Sequence, residues 1–255
     1  MPGSGGLELD LSVNTKVAVI LPAAGLGTRM GRTQPEKAGT SRKQFMLLEG
    51  SPILFHTIRK FDACPLVGEI LVALREEDLE WVGNLLNQEK LNTPVRLVEG
   101  GNSRHESVEN ALSQLSPDTA LVAVHDAVRP FIGQPTLAAV IEEARAGGAA
   151  IVGIVPVDTV KRVHRNKIRA TIPREHLVMA QTPQVFSYGL LRQAFAKARE
   201  DGFSGTDEAS LVERLEEIEV SVVPGSDRNI KITKPSDMDL ARLFFAEEAA
   251  KAKAS

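Results

Sequence analysis

The chain has 255 residues, 30 of them basic and 33 acidic, for a formal net charge of −3, and 43% of it is hydrophobic. That composition fits an ordinary globular chain with length enough for a full core. The small negative charge and an aromatic content of 4% argue against a basic nucleic-acid surface with stacking platforms, and the single Cys64 excludes an internal disulfide or a cysteine-rich metal cluster.

Residues 1–15 hold no basic side chain and no long apolar centre, so they read as a mobile tail before a cytoplasmic protein and not as a signal peptide. V-A-V-I-L at 17–21 is a continuous β-branched and apolar run, the pattern of a strand buried on both faces. Similar strands are expected at 69–74, 95–98, 121–124 and 149–155. Between them apolar residues recur at helical spacing: Ile53, Leu54, Ile58 and Phe61; Leu79, Val82 and Leu86; Val108, Leu112 and Leu115; Leu137, Val140, Ile141 and Ala144. This alternation predicts an α/β fold, a mostly parallel Rossmann-like open sheet with helices on both faces. Ligands of such sheets bind beyond the carboxyl ends of the strands. No apolar run approaches the ~18 residues of a membrane-spanning helix, so no membrane partner is expected.

The alternation stops after residue 155. V-D-T-V-K-R-V and I-R-A-T-I flank a turn at 164–167 and predict a protruding two-stranded β-arm over about 156–180. From 156 to 176 six basic residues face two acidic ones. A lone hairpin is marginally stable, so the arm is expected to lie against a second subunit. Helices are then expected at 190–199 and 206–217, and strands at 220–223 and 230–233. A last helix is expected from Ser236, where S-D-M-D fits a capping box. With no repeat and no linker-like stretch, 16–255 reads as a single domain.

Three strand-end loops carry candidate chemistry. P-A-A-G-L-G-T-R-M at 22–30 follows the first strand, and its small residues let backbone N–H groups approach an anion. It is neither a P-loop nor G-x-G-x-x-G. Between 22 and 45 lie Arg29, Arg32, Lys37, Arg42 and Lys43, against Glu36 alone. V-H-D-A-V-R-P at 124–130 offers Asp126 for a hard cation and Arg129 for a phosphate, with capping of a following helix as the plainer role for Asp126. His125 reads as a packing or hydrogen-bonding residue, because no second His stands at metal-ligand spacing. G-G-N-S-R-H-E-S at 100–107 offers two glycines and several donors, or simply a helix cap. Together the loops favour nucleotide chemistry.

These motifs, with K-Q-F at 43, T-P-Q at 182, T-D-E-A at 206 and N-I-K-I-T at 229, resemble the 2-C-methyl-D-erythritol 4-phosphate cytidylyltransferases from Lys16 to the last helix. The resemblance implies cytidylyl transfer from CTP to a polyol phosphate in non-mevalonate isoprenoid biosynthesis, with Mg2+ as cofactor and a homodimer formed through the β-arm. It implies that Ala23, Ala24, Gly25, Gly101, Asn102 and Ser107 bind CTP, and that Asp126 holds the metal. Arg29 and Lys43 would steady the phosphates and the transition state. Arg129, Thr159, Thr182 and Thr206 would receive the acceptor, and Arg174 and Lys231 would position the attacking phosphate, with Thr159 and Arg174 reaching in from the partner subunit. Arg42 stands where the family usually has Pro, and Pro35-Glu36-Lys37 competes with Lys43 for the motif; Lys43 is preferred because Gln44, Phe45 and Leu47 continue the pattern. A ribitol 5-phosphate cytidylyltransferase, a hexose 1-phosphate nucleotidyltransferase and a non-catalytic nucleotide-binding dimer are the rival expectations.

Overall fold

The computed structural model describes residues 16–25 and 42–254, so the expected tail at 1–15, Arg29 and Lys37 lie outside the described residues. Seven strands form one sheet. In chain order its members are β1 (Val17–Pro22), β4 (Val67–Leu74), β5 (Val95–Glu99), β6 (Leu121–Val124), β7 (Ala149–Ile154), β10 (Met179–Ser187) and β11 (Ser221–Pro224); β2 (Leu47–Leu48) and β3 (Ser51–Pro52) make a small separate ladder. The spatial order is β11-β7-β10-β6-β1-β4-β5. All neighbours run parallel except β10, which is antiparallel to both β6 and β7.

Strand alternation explains why β1 is apolar at every position. Val17, Val19 and Leu21 face one layer, containing α1 (Ile53–Asp62) and α4 (Gln134–Gly147), while Ala18 and Ile20 face the other, containing α3 (Arg104–Ser113) and α5 (Tyr188–Glu200). Phe61, Leu137 and Ile141 fill the first layer, and Val108, Leu191 and Phe195 the second, all buried. Burying each such side chain stabilises the fold by roughly 1.5–3 kcal/mol. α2 (Glu76–Leu86) covers the β4–β5 edge, and Cys64 is buried as a small hydrophobe beside Pro65.

Chain order reverses at β1. From β1 the sheet grows through β4 to β5, then the chain returns to lay β6 on the other side of β1. The crevice beyond the carboxyl ends of β1 and β6 is therefore the switch point where such sheets take ligands. Both 22–25 and His125–Asp126 lie there.

The structure departs from the sequence expectation in four places. β10 occupies 179–187, where no strand was expected; its ladder shifts register between Ala180 and Gln184, around Pro183, which has no N–H to donate. Residues 230–233 form no strand. They run irregularly, with Ile232 buried and its N–H on the Val128 carbonyl at 3.0 Å. α7 (Pro235–Ala254) is not capped by Ser236; Asp237 reaches back to the N–H groups of Thr233 and Lys234 at 2.8 and 3.0 Å. The helix expected at 206–217 is only α6 (Glu208–Val212) followed by a 3-10 turn, Glu213–Leu215.

The arm forms as expected from β8 (Val160–His164) and β9 (Lys167–Ile172), paired antiparallel. Arg165 and Asn166 at its tip have φ of +48° and +60°, the signature of a type I′ turn. Val157, Val163 and Ile168 are 75%, 54% and 66% exposed, so within one chain the arm leaves an apolar face open.

Candidate active site

The site builds from glycine-permitted contact between two loops. Ala23 and Ala24, just past β1, are buried, and the Ala23 N–H donates to Ala73 O at 2.8 Å. The β5–α3 turn lies directly on them. A Cβ on Gly100 would stand 2.7 Å from Ala24 Cβ, and one on Gly101 would stand 2.2 Å from Glu106 Cβ, so only glycine allows this approach. Ser103 caps α3 by accepting from Glu106 N at 3.0 Å, and Glu106 Oε2 accepts from Asn102 N at 2.8 Å. Ser107 Oγ accepts from Gly101 N at 3.0 Å and donates to Ser103 O at 2.7 Å. The turn is thus a helix cap and a pocket wall together.

Lys43 opens a 3-10 turn, Lys43–Phe45, whose Gln44 donates Nε2 to Ala23 O at 2.6 Å and to Gly25 O at 3.1 Å. Lys43 and Gln44 line one pocket with 22–25, Arg104, Ser107, Asp126 and Lys231. Gly101 and Asn102 line a neighbouring cleft with Arg75 and Glu99. A second pocket joins Arg104, Asp126 and Lys231 to Arg129, Gln181, Thr182, Gln184, Thr206 and Asp207. Arg104, Asp126 and Lys231 belong to both, so they form the seam between two adjoining chambers.

Asp126 is the centre of that seam. It does not cap a helix. Its Oδ1 accepts from Arg104 Nε at 3.3 Å, and its Oδ2 accepts from Arg129 Nε at 3.2 Å and lies 2.9 Å from Lys231 Nζ. Burial acts to push its carboxyl up, but the Arg104, Lys231 and Arg129 charges prevail and hold it far below the usual carboxylate range. It is a permanent anion in a cationic setting. Arg104 also forks onto Glu208 at 2.6 and 2.9 Å, with Glu208 1% exposed at the start of α6. Burial disfavours the Arg104 charge, yet Glu208 and Asp126 more than restore it.

Arg129 donates Nη1 to Asn229 O at 2.7 Å, and Asn229 Nδ2 donates to Gln181 Oε1 at 3.1 Å and to Thr182 O at 2.9 Å. The irregular stretch 229–232 is thereby tied to the seam, which carries Lys231 into place. Thr182 is buried, and its hydroxyl is already engaged. Oγ1 accepts from Asp126 N at 3.0 Å and pairs with His125 Nδ1 at 3.1 Å. His125 Nε2 faces Arg129 O at 3.0 Å, and a carbonyl only accepts, so Nε2 carries the hydrogen and Thr182 donates to Nδ1. Burial pushes His125 down to about 4, which keeps the ring neutral as that pattern requires. Thr182 therefore supports Asp126 from behind, and His125 is a hydrogen-bonding residue, as the lack of a second His at metal-ligand spacing suggested. Thr159 and Arg174 line neither pocket; Arg174 donates to Val157 O at the base of the arm.

Arg104, Glu208, Gln44 and Asn229 are among the site residues that sequence reasoning passed over, as are Gln181, Gln184 and Asp207 of the second pocket; the first four show where the signal lay. Each lies inside a quoted motif: G-G-N-S-R, T-D-E-A, K-Q-F and N-I-K-I-T.

The family model described as 2-C-methyl-D-erythritol 4-phosphate cytidylyltransferase matches residues 17–247. A relative of that name from Solibacter usitatus is 68% identical over 244 residues, covering 94% of this chain and 100% of the relative. Another, from Acidobacterium capsulatum, is 49% identical and covers 92% of this chain and 100% of its own. Among solved structures, the 4-diphosphocytidyl-2C-methyl-D-erythritol synthase of Anaerococcus prevotii superposes with a TM-score of 0.79 at 27% identity, over 91% of this chain and 99% of that one. The 2-C-methyl-D-erythritol 4-phosphate cytidylyltransferase of Thermus thermophilus gives 0.71 at 32% identity, over 90% and 98%. With sequence, fold and the loops at the switch point in agreement, the chain belongs to the 2-C-methyl-D-erythritol 4-phosphate cytidylyltransferase family.

Proposed function

We propose that this chain transfers the cytidylyl group of CTP to 2-C-methyl-D-erythritol 4-phosphate and releases diphosphate, with Mg2+ on Asp126 and as a homodimer that brings Thr159 and Arg174 of one arm to the other subunit's acceptor chamber. The observation that carries the reading is the seam, in which Asp126, Arg104 and Lys231 line two adjoining chambers at the switch point.

The chemistry brings two polyanions together. An oxygen of the acceptor phosphate attacks the α-phosphorus of CTP, a phosphorus–oxygen bond forms, and the bond to the bridging oxygen breaks as diphosphate leaves. A phosphate monoester with a second pKa near 6 is already ionised at neutral pH, so no general base is needed. His125 is fittingly buried and neutral, outside any nucleophilic role. What remains for the protein is positioning and charge.

In the first chamber Ala23, Ala24, Gly25 and Ser107 would floor the nucleotide and Lys43 would meet its phosphates, with Gly101 and Asn102 of the neighbouring cleft assigned to its base end from the sequence motif. Arg29 is assigned to the same phosphates from the sequence motif alone. In the second, Arg129, Thr206 and Lys231 face the acceptor phosphate. Lys231 reaches both chambers and is suited to hold the attacking phosphate against the nucleotide.

Asp126 suits a magnesium ion. It is an ionised oxygen donor that lines both chambers, where substrate phosphates could complete the shell of a hard cation. Mg2+ prefers one or two carboxylates completed by substrate phosphates and water. Bound there, it would neutralise phosphate charge on the nucleotide.

The test is diphosphate release with CTP, Mg2+ and each of three acceptors: 2-C-methyl-D-erythritol 4-phosphate, ribitol 5-phosphate and a hexose 1-phosphate. The reading predicts the first as the preferred substrate by kcat/KM. Preference for ribitol 5-phosphate would replace the acceptor, and no release with any would overturn the activity.

A further inference from the structure

The first turn of α2 borders the cleft of Gly101 and Asn102 but lies outside the chamber that Lys43 lines, yet it holds the two pieces of chain that wall that chamber. Arg75, the residue preceding α2, donates Nε to Ala24 O at 3.3 Å, and its Nη1 is 3.6 Å from Glu77 Oε1. Glu77 Oε1 is in turn 3.3 Å from Arg42 Nη2, and that same nitrogen donates to Asp78 Oδ1. One helix start thus grips Ala24 on one side and Arg42 on the other.

The Arg42–Asp78 pair is costly where it stands. The two side chains are 13% and 3% exposed, and burial pushes the Asp78 carboxyl up against the pull of Arg42. Arg42 Nη1 and Asp78 Oδ2 are buried without hydrogen-bond partners among the described residues. A buried ion pair often adds little net stability over an apolar replacement, so stability alone is a poor account of it. What the pair does have is direction. Arg42 O accepts from Phe45 N at 2.9 Å, closing the 3-10 turn that starts at Lys43. The Arg42 guanidinium sits 5.5 Å over the Phe45 ring, and Phe45 meets Trp81 edge-on at 4.9 Å. Gln44 holds Ala23 O and Gly25 O. Arg42, Gln44 and Phe45 are each anchored, and Lys43 is carried into the pocket by all three.

We propose that the Arg42–Asp78 pair is a positioning device for the reaction, setting the turn that presents Lys43 to the nucleotide phosphates. The inference rests on the assignment of Lys43 to those phosphates. Neither Arg42 nor Asp78 lines the pocket, so both act through Lys43.

The experiment compares Lys43→Ala, Arg42→Ala, Asp78→Ala, the Arg42→Ala/Asp78→Ala double variant and the Asp78→Ala/Lys43→Ala double variant in steady-state turnover of the full chain. Glu89→Gln, which breaks the peripheral Arg59–Glu89 pair, is the control for lost stability. Lys43→Ala is expected to lower kcat about a hundredfold or more. Arg42→Ala and Asp78→Ala are each expected to lower kcat about tenfold with acceptor KM unchanged, part of the roughly hundredfold that a 1 Å misplacement of a catalytic group can cost. Their double variant should be no slower than the worse single, and Asp78→Ala should add nothing on top of Lys43→Ala. Glu89→Gln should lower Tm and leave kcat alone. Full kcat in Arg42→Ala and Asp78→Ala beside a collapsed Lys43→Ala would overturn the positioning role alone, as would multiplicative losses in Asp78→Ala/Lys43→Ala. Full turnover in Lys43→Ala would remove the assignment of Lys43 and this inference with it. If Asp78→Ala lowers the folded fraction, the isosteric Asp78→Asn carries the same comparison.

Discussion

Both the seam around Asp126 and the β-arm are rich in cations, but they hold them differently. At the seam every cation is braced: Arg104 on Glu208 and Asp126, Arg129 on Asp126 and Asn229 O, and Lys231 on Asp126. On the arm the described contacts are local, Lys161 to the Thr171 hydroxyl and Arg174 to a nearby carbonyl, and the side chains stand in solvent beside exposed Val163 and Ile168. Braced charge is preorganised and loses little when a transition state forms against it. Charge on an exposed hairpin is available to whatever docks there. The contrast separates a site braced within the chain from a hairpin whose charges are left to solvent and, in the proposed homodimer, would serve the other subunit.

Breaking the seam should give the largest effects. Asp126→Asn removes the anion that three cations share and should lower kcat by about 10²–10³; steady-state diphosphate release checks it. Glu208→Gln should come next, because it leaves Arg104 half-braced. Loss of one partner of a buried pair costs about 3–5 kcal/mol, and because the Arg104 side chain is 30% exposed the expected loss is nearer 2 kcal/mol, read by urea denaturation. Turnover should fall with it, whereas a variant of full stability and activity would show that the brace is idle.

On the arm, Arg174→Ala should raise acceptor KM or lower kcat while CTP affinity and Tm stay near wild type. Equal damage to CTP binding would merge the two regions that the comparison separates. A further effect concerns pH, and it touches stability without touching the site's charges. His125, buried and held at about 4, stays neutral in the folded chain, while in the unfolded chain it protonates below its ordinary 6.5. The unfolded state binds the extra proton between those values, so this stability is full above 6.5 and falls as pH drops through the window, by at most about 1.4 kcal/mol per unit. His56, buried with Nε2 on Leu48 O and likewise pushed down, acts in the same direction. Denaturation at pH 7 and pH 5 should show the loss, and it should shrink in His125→Asn.

Much of the fold was legible because burial on two faces writes itself into β1, β4, β6 and β7 as unbroken apolar runs. β10 was not, because Pro183 interrupts its ladder. I-K-I-T at 230–233 alternates like a strand, but the alternation serves another end: Ile232 enters the core and Lys231 enters the seam. Several polar residues of the site could be picked from motifs, most readily from the three strand-end loops at 22–30, 100–107 and 124–130. Their braces could not. Arg104 and Glu208 stand 104 positions apart, and only the folded chain brings them together.

In the proposed reaction Lys231, on the seam, holds the acceptor phosphate against a separately bound nucleotide. Lys231→Met, measured by diphosphate release and by calorimetric titration of CTP, tests it most directly. The variant should show a kcat lower by about 10²–10³ with CTP affinity within about twofold of wild type. Wild-type turnover, or a matching collapse of CTP affinity, would contradict it.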